Sequence, residues 1–165
     1  MEPIASLAAR LALEPHPEGG FYRRWYTSAA ALPAAAAGAG APPPRACASS
    51  ILFALPRGGT SSLHALGSDE LWLHQGGAPL TVVQVRAGGG VAHTRVLPGA
   101  PHCVPAGDLF GAFVEEGGEE AFALVCCVVV PGFLWEEFSM PGKGELLARF
   151  AGSPEALREV ERLCK

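Results

Sequence analysis

Turn-forming residues recur through most of this chain at intervals that leave room only for short strands. The turns fall at Gly67-Ser68-Asp69, Gly76-Gly77, Gly88-Gly89-Gly90 and Glu116-Gly117-Gly118. Between and around them, alternating or continuous apolar runs predict strands at 48–55, 60–66, 70–75, 79–86, 91–97, 103–104, 109–115 and 120–130. Short strands at roughly 8–12-residue spacing indicate an all-β sandwich or barrel rather than a parallel sheet with crossover helices.

The segments on either side of this β pattern have a different character. Near the start, residues 3–12 place apolar side chains on one helical face, and Phe21–Thr27 alternates as a further strand. Residues 29–45 are almost entirely alanine, glycine and proline, which is typical of a low-complexity surface loop. A helical pattern follows at 143–165. We therefore expect a single domain over 1–165, all-β with short N- and C-terminal helices.

Composition and charge narrow the class of protein. The chain has 165 residues, of which 49% are hydrophobic and 17% charged, and its net charge is −4. Without a basic stripe we expect no nucleic-acid partner, and without an apolar run of about 18 residues we expect no membrane span. The N-terminus lacks the basic start and apolar core of a signal peptide. The five cysteines show no C-x-x-C spacing and predict free thiols, which favours a cytoplasmic location.

Two blocks framed by glycines and proline carry the residues most suited to chemistry. The first places His64 and Glu70 between Gly58 and Gly77, on either side of the turn Gly67-Ser68-Asp69. We expect this turn to reverse the chain so that the two flanking strands pair and both side chains point into one cavity. A barrel of about eight strands leaves room for one small ligand.

Further residues are expected on the walls of this cavity. Trp72 and His74 share a strand face with Glu70, because strand residues two apart point the same way. Trp72 is interpreted as a core residue or a ligand platform, and His74 as a polar wall residue or a solvent-facing strand end. Phe110, in the second block, is most simply a core residue aimed at the same interior. The remaining histidines stand in loop or alternating contexts and are expected to be solvated: His16, His93 and His102.

The spacing of the two blocks resembles the signature of the cupin superfamily, whose blocks supply three histidines and a glutamate to a metal. His64 and Glu70 match two of those positions, whereas Leu66 and Phe110 stand at the places of the second and third histidines. The resemblance implies a double-stranded β-helix, the jelly-roll barrel of cupins. Because half of the donors are missing, we expect no cofactor. The alternative is a divalent transition metal held by His64, Glu70 and His74.

A narrower resemblance is to the small single-domain cupins of the cupin-5 group, which is catalogued mainly as a domain of unknown function. It is carried by Pro17-Glu18-Gly19-Gly20, Ser68-Asp69-Glu70-Leu71-Trp72, Val104-Pro105-Ala106-Gly107 and Pro131-Gly132-Phe133. The resemblance implies a homodimer in which Phe21–Thr27 reaches toward the partner subunit. Aromatic side chains on both faces of that strand also favour a covered surface. Glu18 is expected at the cavity mouth, where it binds the ligand, or else is a charged turn residue.

Three functions stay open for a cavity of this kind. The first is a metal-independent isomerase or epimerase of a small sugar-like or carbonyl compound, with His64 as the base and Glu70 orienting the imidazole or returning the proton. The second is a metal-dependent dioxygenase or lyase. The third is a non-catalytic protein that binds a small-molecule ligand. The residues alone do not name the substrate.

Overall fold

The computed structural model describes residues 3–33, 45–114 and 122–164. The strands are β1 (Glu14–Pro15), β2 (Phe21–Thr27), β3 (Ser49–Pro56), β4 (Thr60–Leu66), β5 (Asp69–Gly77), β6 (Leu80–Val85), β7 (Val91–Val96), β8 (His102–Val104), β9 (Leu109–Val114), β10 (Phe122–Val130) and β11 (Phe138–Ser139). The helices are α1 (Ile4–Leu11), α2 (Lys143–Arg149) and α3 (Pro154–Leu163), and a 3-10 turn spans Trp135–Glu137. The expected all-β fold with terminal helices is therefore confirmed.

The strands form two antiparallel sheets. One has six strands in the order β1-β2-β3-β10-β5-β8, and the other has five in the order β11-β4-β9-β6-β7. The strands predicted at 60–66 and at Phe21–Thr27 have the expected bounds, and the other predicted strands agree to within two residues in the part of the chain that is described. The predicted turn Glu116-Gly117-Gly118 and most of the predicted loop at 29–45 lie outside the described residues.

One sequence prediction about pairing is wrong. β4 and β5, which flank the turn Gly67-Ser68-Asp69, do not pair with each other: β4 pairs with β9 and β11, and β5 pairs with β10 and β8. The turn carries the chain from the five-stranded sheet to the six-stranded sheet. A short turn between two strands is compatible with either arrangement, so the local sequence did not separate them. His64 and Glu70 therefore project from different sheets.

The main core lies between the two sheets. It contains Phe53 and Trp72 from the six-stranded sheet together with Leu80 and Phe110 from the five-stranded sheet, all of them buried. Because strand side chains alternate, the even-numbered residues of β6 and β9 point into this core. The barrel interior is thus apolar on several walls, and only a few polar side chains of the described residues are buried in it.

A second core covers the outer face of the five-stranded sheet. Leu63, Val83 and Val85 pack there with Leu146 of α2 and Val160 of α3. Helix α3 begins at a serine whose hydroxyl accepts the backbone N–H of Ala156, as an N-cap does. This packing fixes β4 from outside, with Leu63 directed at the helices and its neighbour in sequence, His64, directed inward. Of the helices in the described residues, none is long and apolar enough to cross a membrane.

Candidate functional site

A cavity of about 170 Å³ opens between the two sheets. Both sheets line it, together with the N-terminal segment and the segment that follows β10. The ionisable side chains on its wall are Glu14, His16, Glu18, Tyr22, Arg24, His64, Glu70 and Cys127. Three of the buried ones, Glu18, His64 and Glu70, lie deep in the barrel, where low polarity makes charge expensive.

His64 is held in one orientation by its own strand. Its Nδ1 lies 2.7 Å from the backbone carbonyl of Ser62, so Nδ1 carries a hydrogen and donates it. The β4–β9 ladder is irregular between Ser61 and His64, and the Ser62 carbonyl is thereby free to take a side chain. The other ring nitrogen, Nε2, consequently presents a lone pair when the imidazole is neutral. That nitrogen is directed at Glu18.

Glu18 reaches the same place from the turn that precedes β2. Its Oε2 lies 3.2 Å from His64 Nε2, and its Oε1 accepts the Ser61 hydroxyl at 2.9 Å. Its backbone carbonyl also accepts the N–H of Ser62 at 2.8 Å. Gly20 makes this approach feasible, because it has a φ of 71° and a Cβ there would lie 2.7 Å from the carbonyl of Ala54. The Pro-Glu-Gly-Gly motif thus locks Glu18 against β4.

Burial decides where the proton between Glu18 and His64 resides. It raises the pKa of Glu18 to about 8, against which the hydrogen bond from Ser61 acts. It lowers the pKa of His64, against which the charge of Glu70 and the Ser62 carbonyl act. Both shifts favour the uncharged forms. At neutral pH the protonated carboxyl of Glu18 therefore donates a hydrogen bond to Nε2 of a neutral imidazole.

His16 extends this arrangement toward the cavity mouth, and the expectation that it is solvated is wrong. Its side chain is only 8% exposed, and its Nδ1 lies 3.6 Å from the Glu18 oxygen that faces His64. Nδ1 also accepts the backbone N–H of Glu18 at 3.4 Å, and the ring packs edge-on against Tyr22 at 4.5 Å. Burial, with the nearby His64, lowers the pKa of His16 to about 4, so the ring is neutral. The turn between β1 and β2 folds it inward.

Glu70 lies on the opposite sheet with its own set of donors. Trp72 donates its indole N–H to Oε2 at 3.1 Å, and the thiol of Cys127 also hydrogen-bonds the carboxyl. Burial raises the pKa of Glu70 to about 7, with His64 opposing that rise and Glu18 adding to it. The carboxyl is therefore partly ionised at neutral pH. It is oriented by Trp72 and Cys127 rather than by His64.

The structure brings four of the six predicted site residues to the cavity. These are Glu18, His64, Glu70 and Trp72. Phe110 lies behind the wall, with its ring centroid 4.2 Å from that of His64. His74 is placed away from the cavity lining, and its Nε2 bonds the backbone carbonyl of Ala78 at 3.1 Å.

Several cavity residues were not found from the sequence. Cys127 lies in a nearly continuous apolar stretch of β10, where alternation places it on the inward face with Val125 and Val129. Tyr22 and Arg24 share one face of β2, and this alternation was visible, but nothing in the sequence indicated which face meets the cavity. Of the other two histidines expected to be solvated, His93 is exposed as expected and bonds Glu159, whereas His102 is half-buried and bonds Gln84.

The donors of this site do not fit a cupin metal centre. Glu18 Oε2 faces both His64 and His16, so these three groups are directed at one another rather than at a shared central point. Leu66, on the cavity wall, and the buried Phe110 offer no donor atoms. In the described ranges, no three His, Cys, Asp or Glu side chains form a group that could hold a metal ion. We therefore derive no step through a metal.

Solved structures of similar proteins share this fold. Protein SO0799 from Shewanella oneidensis is 30% identical, with a TM-score of 0.86 over 100% of this chain and 99% of that one. A hypothetical protein from Leishmania major is 27% identical, with a TM-score of 0.80 over 99% of both chains. Oxalate decarboxylase from Bacillus subtilis is 17% identical, with a TM-score of 0.56 over 90% of this chain and 36% of that one, and this likeness concerns the fold alone.

Comparison with sequence families agrees with the structural likeness. A search of curated protein sequences gave no match. The family described as Cupin superfamily (DUF985) matches residues 5–141, which is most of the chain. The two facing antiparallel sheets are accordingly the jelly-roll barrel that the resemblance implied. This chain belongs to the Cupin_5 family of the cupin superfamily.

Proposed function

We propose that this protein binds a small polar molecule in the cavity and moves a proton on it without a metal, as an isomerase or epimerase of a sugar-like or carbonyl compound. One observation carries the proposal: Glu70, whose pKa is about 7, and the hydrogen-bonded pair of Glu18 and His64 line one cavity. Titratable groups whose surroundings shift their pKa values toward the working pH are typical of acid–base sites.

The hydrogen bonds favour a different division of roles from the one expected from the sequence. The lone pair of His64 Nε2 is engaged by Glu18, whereas Glu70, with a pKa of about 7, is well matched to act as a base at neutral pH. In the proposed reaction Glu70 takes a proton from the carbon next to a carbonyl group. The electron pair of that C–H bond moves toward the carbonyl oxygen, which takes a proton from the Glu18–His64 pair.

Return of a proton completes the cycle. Delivery from Glu70 to the adjacent carbon, with the hydroxyl on the original carbon returning a proton to the Glu18–His64 pair, gives an isomer. Delivery of a water proton to the opposite face of the original carbon, with Glu70 releasing its proton to water and the enol hydroxyl returning one to the pair, gives an epimer. His64 belongs to the five-stranded sheet, whereas Glu70 and the β1–β2 turn that carries Glu18 belong to the six-stranded sheet. No electrons leave the ligand, so the reaction is balanced without a redox partner. The ring of His16 next to Glu18 supplies a route by which the pair can exchange its proton near the mouth.

Exchange of carbon-bound hydrogen in D2O tests this proposal. Small aldoses, ketoses and hydroxyketones are incubated with the protein, and NMR follows loss of the C–H signal. We expect exchange of at least one compound, and a loss of about 10²–10⁴-fold in Glu70→Gln and in Glu18→Gln. Glu159→Gln is the matched control, because Glu159 is a buried carboxyl that accepts from His93 outside the cavity.

Two outcomes would contradict catalysis. One is exchange that proceeds equally in all three variants. The other is tight binding of a compound with no exchange at all, which would make the protein a non-catalytic binder. The five free cysteines support a reducing, cytoplasmic location for either function.

A further inference from the structure

We propose that the ligand carries an anionic group, a phosphate or a carboxylate, and that Arg24 binds it at the mouth of the cavity. This inference rests on the proposed function, because it names the class of compound that the same cavity receives. It rests on the placement of Arg24, on the polarity of the cavity from mouth to floor, and on the size of the enclosed space.

Arg24 lies on the wall of the cavity and is exposed to solvent. It follows Tyr22 by two residues on the same face of β2 and pairs in register with Ile51, another cavity residue. Its guanidinium carbon is 5.5 Å from the centre of the Phe133 ring, which supports the side chain from one side. It forms no salt bridge with any other described residue. The planar fork of N–H donors is thus open to a ligand.

Glu14, the exposed acidic residue that lines the cavity, already has a partner. Glu14 pairs with Tyr22 across the β1–β2 ladder, and the Tyr22 hydroxyl hydrogen-bonds its carboxylate. Burial and this carboxylate both raise the pKa of Tyr22, so the hydroxyl keeps its proton and remains a donor to Glu14. Glu14 is accordingly directed at Tyr22, and Arg24 keeps its capacity for bidentate bonds to a phosphate or carboxylate.

The floor of the cavity, in contrast to the mouth, disfavours an anionic group. Glu18 and Glu70 are both buried carboxyls whose pKa values are raised by burial. A negative group placed beside them would increase the cost of ionising either one, and would oppose the use of Glu70 as a base. A ligand with one uncharged polar end and one anionic end therefore has a single favourable direction, with the uncharged end inward and the anion at Arg24.

The volume limits the inward portion. The cavity of about 170 Å³ is slightly larger than the roughly 150 Å³ of an engineered apolar cavity that binds benzene. A three- to five-carbon carbonyl or polyhydroxyl unit fits this space, with its anionic group outside it. Trp135, which is half-exposed at the mouth, shields one side of the opening.

Paired compounds test the inference by calorimetric titration at pH 7. The pairs are glyceraldehyde 3-phosphate with glyceraldehyde, ribose 5-phosphate with ribose, and glucuronate with glucose, so that phosphate and carboxylate are distinguished. In at least one pair we expect the anionic member to bind at least tenfold more tightly. We expect Arg24→Met to remove that preference and Arg23→Met to keep it, because Arg23 is exposed on the other face of β2 and does not line the cavity.

The inference is overturned if neutral and anionic members bind equally, if Arg24→Met keeps the preference, or if no member of any pair binds at millimolar concentration. Hydrogen exchange in D2O on the same samples reports separately on catalysis. Anion preference without exchange contradicts the proposed reaction and leaves the Arg24 site intact. Exchange on neutral compounds without any anion preference contradicts the Arg24 site and leaves the reaction intact.

Discussion

Glu18 Oε2 lies 3.2 Å from His64 Nε2, and both side chains are almost wholly buried in the barrel. Groups of β4 enforce this contact: the Ser62 carbonyl fixes the imidazole, and the Ser61 hydroxyl and the Ser62 N–H both donate to Glu18. The pair retains one proton in the folded state at a pH where a free glutamate would have lost it. A direct consequence is a pH-dependent stability.

The free energy of unfolding should fall as the pH rises from 7 to 8.5. The pKa of Glu18 is about 8 in the folded protein and about 4.5 when the chain is unfolded. Unfolding in this range releases the proton, so higher pH favours the unfolded state, and the group's contribution to stability is lost as the pH rises toward about 8. We expect a loss of about 1 kcal/mol. Histidines act in the opposite direction mainly below pH 6.5, outside this window.

Urea denaturation at the two pH values measures this loss. Glu18→Gln keeps an acceptor for Ser61 and a donor for His64, and it should show a clearly shallower dependence on pH. A wild-type protein that is equally stable, or more stable, at the higher pH would contradict the assignment of the proton to the pair.

Removing the thiol of Cys127 should raise the pKa of Glu70 above about 7, because the carboxylate loses one of its two side-chain donors. Cys127→Ala is compared with Cys126→Ala, whose side chain contacts Ser50 instead of Glu70. Carbon-13 NMR of the glutamate side chains gives the midpoint. An unchanged midpoint in Cys127→Ala would show that the thiol does not stabilise the ionised form.

Metal content should stay well below one equivalent in protein purified without an affinity tag. Glu18 and His64 satisfy each other, and Leu66 offers no donor on the cavity wall. Elemental analysis of wild-type protein checks this expectation. Near one equivalent of a transition metal that disappears in His64→Ala would overturn the metal-free reaction.

The protein should form a homodimer through β2. The short strand β1 covers only Phe21 and Tyr22 of β2, and beyond them Trp25 and Tyr26 are 55% and 46% exposed. Aromatic groups beside an uncovered strand edge favour association. Sedimentation should give twice the 17.1 kDa of one chain.

Trp25→Lys should shift the dimer toward monomers at micromolar concentration. Met140→Lys is the control, because Met140 is 45% exposed elsewhere on the surface. A wild-type protein that sediments as a monomer at micromolar concentration would argue against the interface.

Strand positions were predictable because alternation and turn residues are local signals. The bounds of β2 and β4 followed directly from them. The two-residue strand β11 has no periodicity to detect, yet it pairs with β4 and brings Phe138 to 5.5 Å from the ring of His64. The pairing of β4 with β9 instead of β5 depends on contacts between distant segments, which local patterns do not encode.

The site was predictable in location but less so in its contacts. His64 and Glu70 both line one cavity, as expected, although they project from different sheets. The partner of His64, however, is Glu18, which lies 46 positions earlier and was expected at the mouth. The glycines after Glu18 signalled an unusual backbone, but the target of the side chain is set by the packing of the N-terminal segment against β4.

A titration of the side-chain carboxyls tests the central claim most directly, because it needs no substrate. Protein labelled with carbon-13 at the glutamate carboxyls is followed by NMR from about pH 4 to 10. This range covers both the ordinary pKa of a glutamate and the raised pKa values of the two buried ones. Glu18→Gln and Glu70→Gln assign the two signals. We expect midpoints near 8 for Glu18 and near 7 for Glu70. Midpoints for both near the ordinary value of 4.5 would contradict the account, in which Glu18 keeps its proton at neutral pH and Glu70 titrates near pH 7.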